Sequence, residues 1–317
     1  MYIYNDISDK NLEKDCILCL GDFDGVHTGH CQLIIKAEEL ADKYNCKVGI
    51  YTFSVNTKIL LGTKNLSLLT TEEEKNSIFC ELGVDFVCYD NFMKIKNLTP
   101  NEFCAYLTEH IGVRAVVCGD NFTFGKFASG KSTDLESLMQ MRGVECEIVP
   151  GFSVNGTSVS STEIRRRIIC GDMDSAAEML GYRYFIETEV VHGAKLGRKL
   201  GFPTVNQKIY GNKVIPAFGV YCCICSIDRN KYTGVVNVGI KPTVNENSNK
   251  DNIVFETHIL DYSGDLYGKT VKLEFFKMLR HEKKFESLDE LQINVLHNIE
   301  EAKAYFGKEG YHNCSEL

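Results

Sequence analysis

Histidine, glycine and acidic side chains gather in one ten-residue stretch, GDFDGVHTGH (Gly21 to His30), directly after the apolar run Ile17 to Leu20. His27 and His30 stand three residues apart where a strand should give way to a helix, so both imidazoles can reach one bound triphosphate. Gly29 lets phosphate approach the backbone closely, and free N–H groups at a helix start favour negative charge. The candidate nucleotide-binding set is Gly21, Asp22, Phe23, Gly25 and Gly29, with His27 and His30 as the candidate catalytic pair. When a nucleotidyl group is transferred to an existing phosphate anion, no strong base is needed. The demands are orientation and neutralising the charge that builds at phosphorus. Two further segments suit the same task. Ser161, Thr162 and Arg165 join hydroxyls at a helix start to a guanidinium. Asn121, in NFTFGK, follows another apolar run and is placed to help hold a ring system. Phe122 and Phe124 beside it are open to two readings, ligand contact or core.

A second glycine segment, GAKLGRKLGFPTVN (Gly193 to Asn206), has different chemistry. Gly193, Gly197 and Gly201 space a loop carrying Lys195, Arg198 and Lys199, which can wrap phosphates with backbone donors while its cations supply field. It is not a P-loop, since the Lys-Ser/Thr ending and the strand-to-helix context are missing. Thr204 and Asn206 are separated by one residue; on a strand they share a face and both approach a magnesium ion bridging phosphates. Phosphorylating an alcohol also benefits from a carboxylate that accepts its proton. Glu256, inside the apolar run Ile253 to Leu260, is either that base or an outward-facing strand residue. Arg280, in LRHE, fits ligand binding or a surface ion pair. Two phosphate sites with separate chemistry imply two phosphate-transfer reactions on one polypeptide.

Both sites need scaffolds. Strand-like runs at 17–20, 47–53, 86–89, 115–118 and 145–149 alternate with helix-like stretches at 31–44, 71–82, 100–109 and 133–142. That alternation predicts an α/β half, a parallel sheet covered by helices, with ligands at the carboxyl ends of the strands. Ser161 or Thr162 is expected to cap a helix over 163–170, and a short helix over 174–180 ends at Gly181. Beyond it the texture changes. Runs at 186–191, 220–227, 233–238, 255–260 and 271–276, separated by turn residues, predict an antiparallel barrel or sandwich. An amphipathic helix over 288–306 is expected to pack on it, with a frayed tail from Lys308.

At 317 residues the chain is long for one core, and two domains are expected. A net charge of −8 argues against a chain devoted to nucleic acid, and no apolar run approaches a membrane span. The 14 cysteines are scattered through apolar runs and read as buried free thiols in a reducing compartment. Cys16 and Cys19 have ligand-like spacing, but on a strand they face opposite ways.

In order along the chain stand LGDFDGVHTGH, LLTTEEEK, CGDNFTFGK, VSSTEIRRRI, GRKLGFPTV, GVVNVGIKPTV, FETHILDYSGDLYGK and LRHEKKF. From about Asp15 to about Ala304 this set resembles the prokaryotic bifunctional riboflavin kinase and FAD synthetase family. The resemblance implies a Rossmann-like nucleotidyltransferase domain with a parallel sheet, here residues 1–181, and an antiparallel β-barrel riboflavin kinase domain with a packed C-terminal helix, here 182–317. It implies transfer of the ATP γ-phosphate to riboflavin, giving FMN, and then of AMP to FMN, giving FAD and pyrophosphate. Glu256 would be the kinase base, and Thr204 and Asn206 would help hold Mg2+. His27 and His30 would bind nucleotide, with Ser161, Thr162 and Arg165 as the second phosphate element and Asn121 in the nucleotide and flavin cleft. The remaining expectations are small-molecule substrates only, no nucleic-acid or membrane partner, a cytoplasmic location and a monomer or weak homo-oligomer. Two alternatives are a kinase with a silent first domain and a flavin-binding regulator without turnover.

Where that family usually carries Phe-x-Pro-His-Pro, this chain has Phe53-Ser54-Val55-Asn56-Thr57. Asn56 can donate a hydrogen bond but cannot carry an imidazolium charge. Loss of one charge-assisted contact costs about 1.5–3 kcal/mol, or roughly tenfold or more in rate. FAD synthesis is expected to be weakened rather than abolished.

Overall fold

A computed structural model of the chain describes residues 1–317 apart from 6, 8–13, 63–65, 194–196, 198, 199, 210, 241–252, 312, 313, 316 and 317. Two units divide it, Met1–Glu163 and Ile164–Leu317. In the first, β1 (Tyr2–Tyr4), β2 (Lys14–Leu20), β3 (Lys47–Phe53), β4 (Phe86–Asp90), β5 (Gly112–Gly119) and β6 (Glu145–Val149) form one sheet in the order β1-β4-β3-β2-β5-β6. Every pairing in it is parallel. Four helices cover the sheet: α1 (Thr28–Tyr44), α2 (Glu72–Glu81), α3 (Pro100–His110) and α4 (Ser132–Gln140).

The uninterrupted apolar run of β2 follows from burial on both faces. Cys16, Leu18 and Leu20 enter one core with Phe103 and Leu107 of α3 and Leu135 and Met139 of α4. Ile17 and Cys19 enter the other, against Leu33, Ile34 and Leu40 of α1 and Phe79 of α2. Cys16 and Cys19 therefore serve different cores and cannot form a joint ligand pair. Capping boxes set two helix starts, Thr71 with Glu74 and Thr99 with Glu102, and Pro100 opens α3. Strands build to both sides of β2, so the loop after Leu20 opens at a switch point of the sheet.

α5 (Ser161–Ile169), in which the division between units falls, and α6 (Met173–Leu180) precede the second sheet. Its strands are β7 (Phe185–Val191), β8 (Val205–Lys208), β9 (Gly219–Ile227), β10 (Asn230–Ile240), β11 (Ile253–Ile259) and β12 (Thr270–His281). They run in the order β9-β12-β7-β8-β11-β10, and β10 pairs back onto β9. The result is a closed antiparallel barrel, not a sandwich. Tyr221, Phe255 and Phe275 meet edge to face inside it, with centroids 5.6 and 6.0 Å apart. On the outside, α7 (Leu288–Lys308) lays Ile299, Ala302 and Phe306 on Val220, Cys222, Val235 and Phe276.

All cysteines whose side chains are described are free thiols. Burial keeps two of them neutral, pushing Cys104 up to about 11 and Cys222 up to about 12. Several expectations need correction. β1 and the four-residue β8 were not expected, because neither has a run long enough to stand out. α5 begins at Ser161 and its cap is Ser160, whose Oγ accepts from Glu163 N at 3.2 Å. In the tail after Lys308, expected to fray, the described residues make contacts. Tyr311 packs edge to face on Phe276 at 5.4 Å, and β13 (Cys314–Ser315) pairs with Asn230 and Lys231.

Candidate active sites

At the carboxyl end of β2 the chain turns sharply before α1. Phe23, Gly25 and Val26 have φ of 51°, 85° and 34°. A β-branched residue at positive φ is strained and is held only where its surroundings dictate it. Those surroundings are specific. Asp24, buried, accepts at Oδ1 from Leu69 N (2.9 Å) and Thr70 N (3.3 Å), and Gly25 N donates to Thr70 Oγ1 at 3.0 Å. Ser161 Oγ donates to the Asp24 carbonyl at 2.9 Å, tying the SSTEIR segment to the same loop.

His27 caps α1, its Nδ1 accepting from His30 N at 3.3 Å. The two rings stack, 3.6 Å between centroids and 11° between planes, and Phe23 lies 5.0 Å from His30. A Cβ on Gly29 would stand 3.2 Å from His27 Nδ1, so glycine there leaves the ring its place. Burial first, then His27 and Lys75, hold the His30 imidazole well below its ordinary value. A neutral ring offers hydrogen bonds rather than charge. Its Nδ1 is enclosed without a partner among the described residues, a deficit that a polar ligand can repair.

The other expected residues of this site distribute as follows. Gly21 N donates to Tyr51 O at 3.3 Å, at the carboxyl end of neighbouring β3. Asn121 is exposed just past β5, on the other side of β2. Phe124 is a core residue with Phe122 stacked on it at 5.8 Å. Thr162 is exposed; Arg165 is buried on α5 and belongs to the second unit. Asn56 caps the short helix Thr57–Leu60, its Oδ1 accepting from Lys58 N at 3.0 Å. Thr57 Oγ1 donates to the Asp22 carboxylate at 2.9 Å, so the loop lacking Pro-His-Pro is fastened to the glycine segment. Asp24 and Lys75 were not picked out by their residue types. The available signal was a lysine one turn into a helix that opens with three glutamates.

The barrel gathers its residues by strand register. Glu256 on β11 pairs with Asn206 on β8 and Asn237 on β10; Val220 on β9 pairs with Asn237 and with Arg280 on β12. Directly paired residues share a face, so Asn206, Glu256, Asn237 and Arg280 form one row on the outer wall. Both readings of Glu256 meet here. Phe255 and Thr257 are fully buried, so Glu256 does face outward, but into a cleft that Thr204, Asn237, His258 and Arg280 also line. Arg280 Nε donates to buried Asn298 of α7 at 2.9 Å, and its guanidinium lies 5.3 Å from the Phe285 ring centre. His258 Nδ1 and Pro203 O are 2.9 Å apart, fastening the segment that precedes Thr204. Asn206 lies within β8; Thr204 immediately precedes it rather than sharing the strand.

Gly193 and Gly197 closely approach this row and the segment before it. A Cβ on Gly193 would stand 2.3 Å from Asn206 Nδ2, and one on Gly197 would stand 2.5 Å from Phe202 O. Only glycine permits such contact. Lys195 and Arg198 lie outside the described residues.

Residues 9–163 match the FAD synthetase family and residues 180–306 the riboflavin kinase family. The bifunctional riboflavin kinase/FMN adenylyltransferase of Bacillus subtilis is 30% identical over 300 residues, covering 94% of each chain. That of Escherichia coli K12 is 32% identical over 299 residues, 93% of this chain and 94% of its own. A solved Streptococcus pneumoniae structure described as a macrolide-efflux protein superposes with a TM-score of 0.86 at 28% identity, over 95% of this chain and 98% of its own. Among the described residues of this chain, no helix is long and apolar enough to cross a membrane.

Proposed function

The chain belongs to the bifunctional riboflavin kinase/FMN adenylyltransferase family, and on that premise we propose how its residues divide two reactions. The enzyme phosphorylates riboflavin to FMN with ATP and adenylylates FMN to FAD with release of pyrophosphate. The domain limits on this reading are 1–181 for adenylyl transfer and 182–317 for the kinase.

In the kinase step Glu256 accepts the proton of the ribityl 5'-hydroxyl as that oxygen bonds to the γ-phosphorus. The bond from the γ-phosphorus to the bridging oxygen breaks, and ADP leaves. The observation that supports this assignment is the register row: Glu256 faces the cleft between two carboxamides, beneath glycines that admit no Cβ. Thr204 and Asn206 offer the hard, neutral oxygens suited to magnesium that arrives with nucleotide. Such an ion supplies charge neutralisation at the phosphate oxygens. Gly193, Lys195, Gly197 and Arg198 form the phosphate loop, and Arg280, aimed by Asn298, binds an anionic part of substrate or product.

In the adenylyl step a phosphate oxygen of FMN attacks the α-phosphorus, and the bond to the bridging oxygen of pyrophosphate breaks. His27 and His30 orient the triphosphate, His30 as a neutral donor, with Gly21, Asp22, Phe23, Gly25 and Gly29 shaping the loop. Ser161, Thr162 and Arg165 form the second phosphate element, and Asn121 borders the nucleotide and flavin cleft. The enzyme is proposed to act in the cytoplasm on small molecules alone, as a monomer or weak homo-oligomer.

Product chromatography of wild type and Glu256→Gln tests the division. Wild type with riboflavin, ATP and magnesium is expected to yield FMN and then FAD. The variant is expected to lose kinase activity by about 10²- to 10⁴-fold, the usual worth of a general base, while still making FAD from added FMN. Retained kinase activity would remove Glu256 from the role of base.

A further inference from the structure

Adenylyl transfer builds negative charge around the α-phosphorus, yet burial keeps His30 neutral. Of the lysines and arginines described in Met1–Glu163, the buried one is Lys75, 7% exposed. It lies on α2 one helical turn before Phe79, hence on the same face. Phe79 meets Phe23 edge to face at 5.6 Å, and Phe23 meets His30 at 5.0 Å. Helical side chains lean toward the helix N-terminus, which aims Lys75 at the Asp24–Gly25 turn that Leu69 and Thr70 fasten. Its Nζ lies 5.5 Å from the Tyr89 ring centre.

The surrounding carboxylates do not account for it. Burial lowers the Lys75 pKa, while Asp24, Asp22 and Glu72 oppose that shift through space, with no hydrogen bond to any of them. Asp24 is engaged by backbone N–H groups and Asp22 by Thr57. They stabilise an ammonium in a buried setting without closing an ion pair around it. A buried cation whose donors no carboxylate claims among the described residues, beside a stacked imidazole pair at a sheet switch point, matches an anionic ligand.

We infer that Lys75 is the resident cation of the adenylyl-transfer site and contacts the phosphates of ATP. This rests on the adenylyl-transfer reading of the Gly21 to His30 segment. Lys75 moves no proton; it lowers the energy of the charge that develops while the α-phosphorus exchanges one oxygen for another. A side chain serving only to balance Asp22 and Asp24 would affect folding of the loop, not the handling of phosphate.

The test uses full-length Lys75→Gln and Lys75→Arg. FAD formation from FMN and ATP, its reversal from FAD and pyrophosphate, and FMN formation from riboflavin are measured on each preparation. Lys75→Gln is expected to lower kcat/KM for FAD formation about a hundredfold or more, the usual cost of one preorganised donor, and to raise the KM for pyrophosphate. Lys75→Arg is expected to recover at least about tenfold of that loss, and the kinase reaction should be unchanged in both. FAD formation within about threefold of wild type would overturn the inference. So would equal losses in both variants with an unaltered pyrophosphate KM, the signature of charge balance alone. Should Lys75→Gln fail to fold, the pyrophosphate KM of Lys75→Arg decides, since a cation that touches phosphate cannot change geometry without altering it. Wild type that forms no FAD from FMN would instead sink the reading of the first site.

Discussion

At the carboxyl end of the parallel sheet, the glycine loop after β2 is held by residues from distant stretches: Thr57, Leu69, Thr70 and Ser161 all bond to Asp22, Asp24 or Gly25. On the barrel wall the corresponding task falls to the strand ladder, whose register aligns Asn206, Glu256, Asn237 and Arg280. The first arrangement encloses its groups and alters their ionisation. The second leaves them lining an open cleft and relies on register. A site of the first kind is sensitive to charge and to remote loops, whereas one of the second kind is sensitive to anything that moves a strand or fills the space above it.

Beyond the Glu256→Gln and Lys75→Gln losses already expected, Gly193→Ala should give the largest effect. Its Cβ would overlap the Asn206 amide, and overpacking of about 1–3 kcal/mol corresponds to roughly ten- to hundredfold in kinase kcat/KM. FAD formation from FMN should not change. Equal loss of both activities would mean that the two sites are not independently built. Next comes Asn56→His, which is expected to raise FAD formation about tenfold by supplying a charge-assisted contact. An unchanged or lower rate would mean that the cap on Lys58 N matters more than the missing imidazole. The smallest effect concerns acid. Folded His30 resists a proton that the unfolded chain accepts near the ordinary value of about 6.5. Stability from this source is therefore complete above that pH and is lost as pH falls below it, by up to about 1.4 kcal/mol per pH unit. Urea titrations between about pH 7.5 and 5.5 should reveal the slope, and His30→Gln should flatten it. A slope that persists in the variant would locate the acid sensitivity elsewhere.

The order of strands and helices was legible because burial on two faces yields long apolar runs and because the caps at Thr71 and Thr99 lie within four residues of their partners. Helix α7 and the two glycine segments were legible for similar reasons. β8 was not. Four residues with Gln207 turned inward, donating to Thr188 O and Val271 O, carry no local strand pattern. Closure of the barrel depends on β9, a hairpin partner of β10, also meeting distant β12 in space, which no window of sequence contains. The same limit hid Lys75. A lysine in LLTTEEEK reads as a solvated charge until its burial, the nearby Asp24 carboxylate and the Tyr89 ring are seen. Glu256 could not be settled by alternation, since an outward face and a cleft-lining position coincide on this barrel.

Barrel closure has a consequence for how the protein fails. Within the closed ring each strand is bordered by two others, so among the described residues the barrel has no outermost strand of the kind that ends an open sheet. The parallel sheet does end in two outer strands, β1 and β6. One is three residues long. The other carries Glu145 paired with Lys43 and Glu147 facing Lys36 at 3.8 Å. Short length and charged flanks are the means by which open sheets resist strand-to-strand aggregation. The FAD-forming half thus carries the protection against fibrous self-association that the kinase half obtains from its topology.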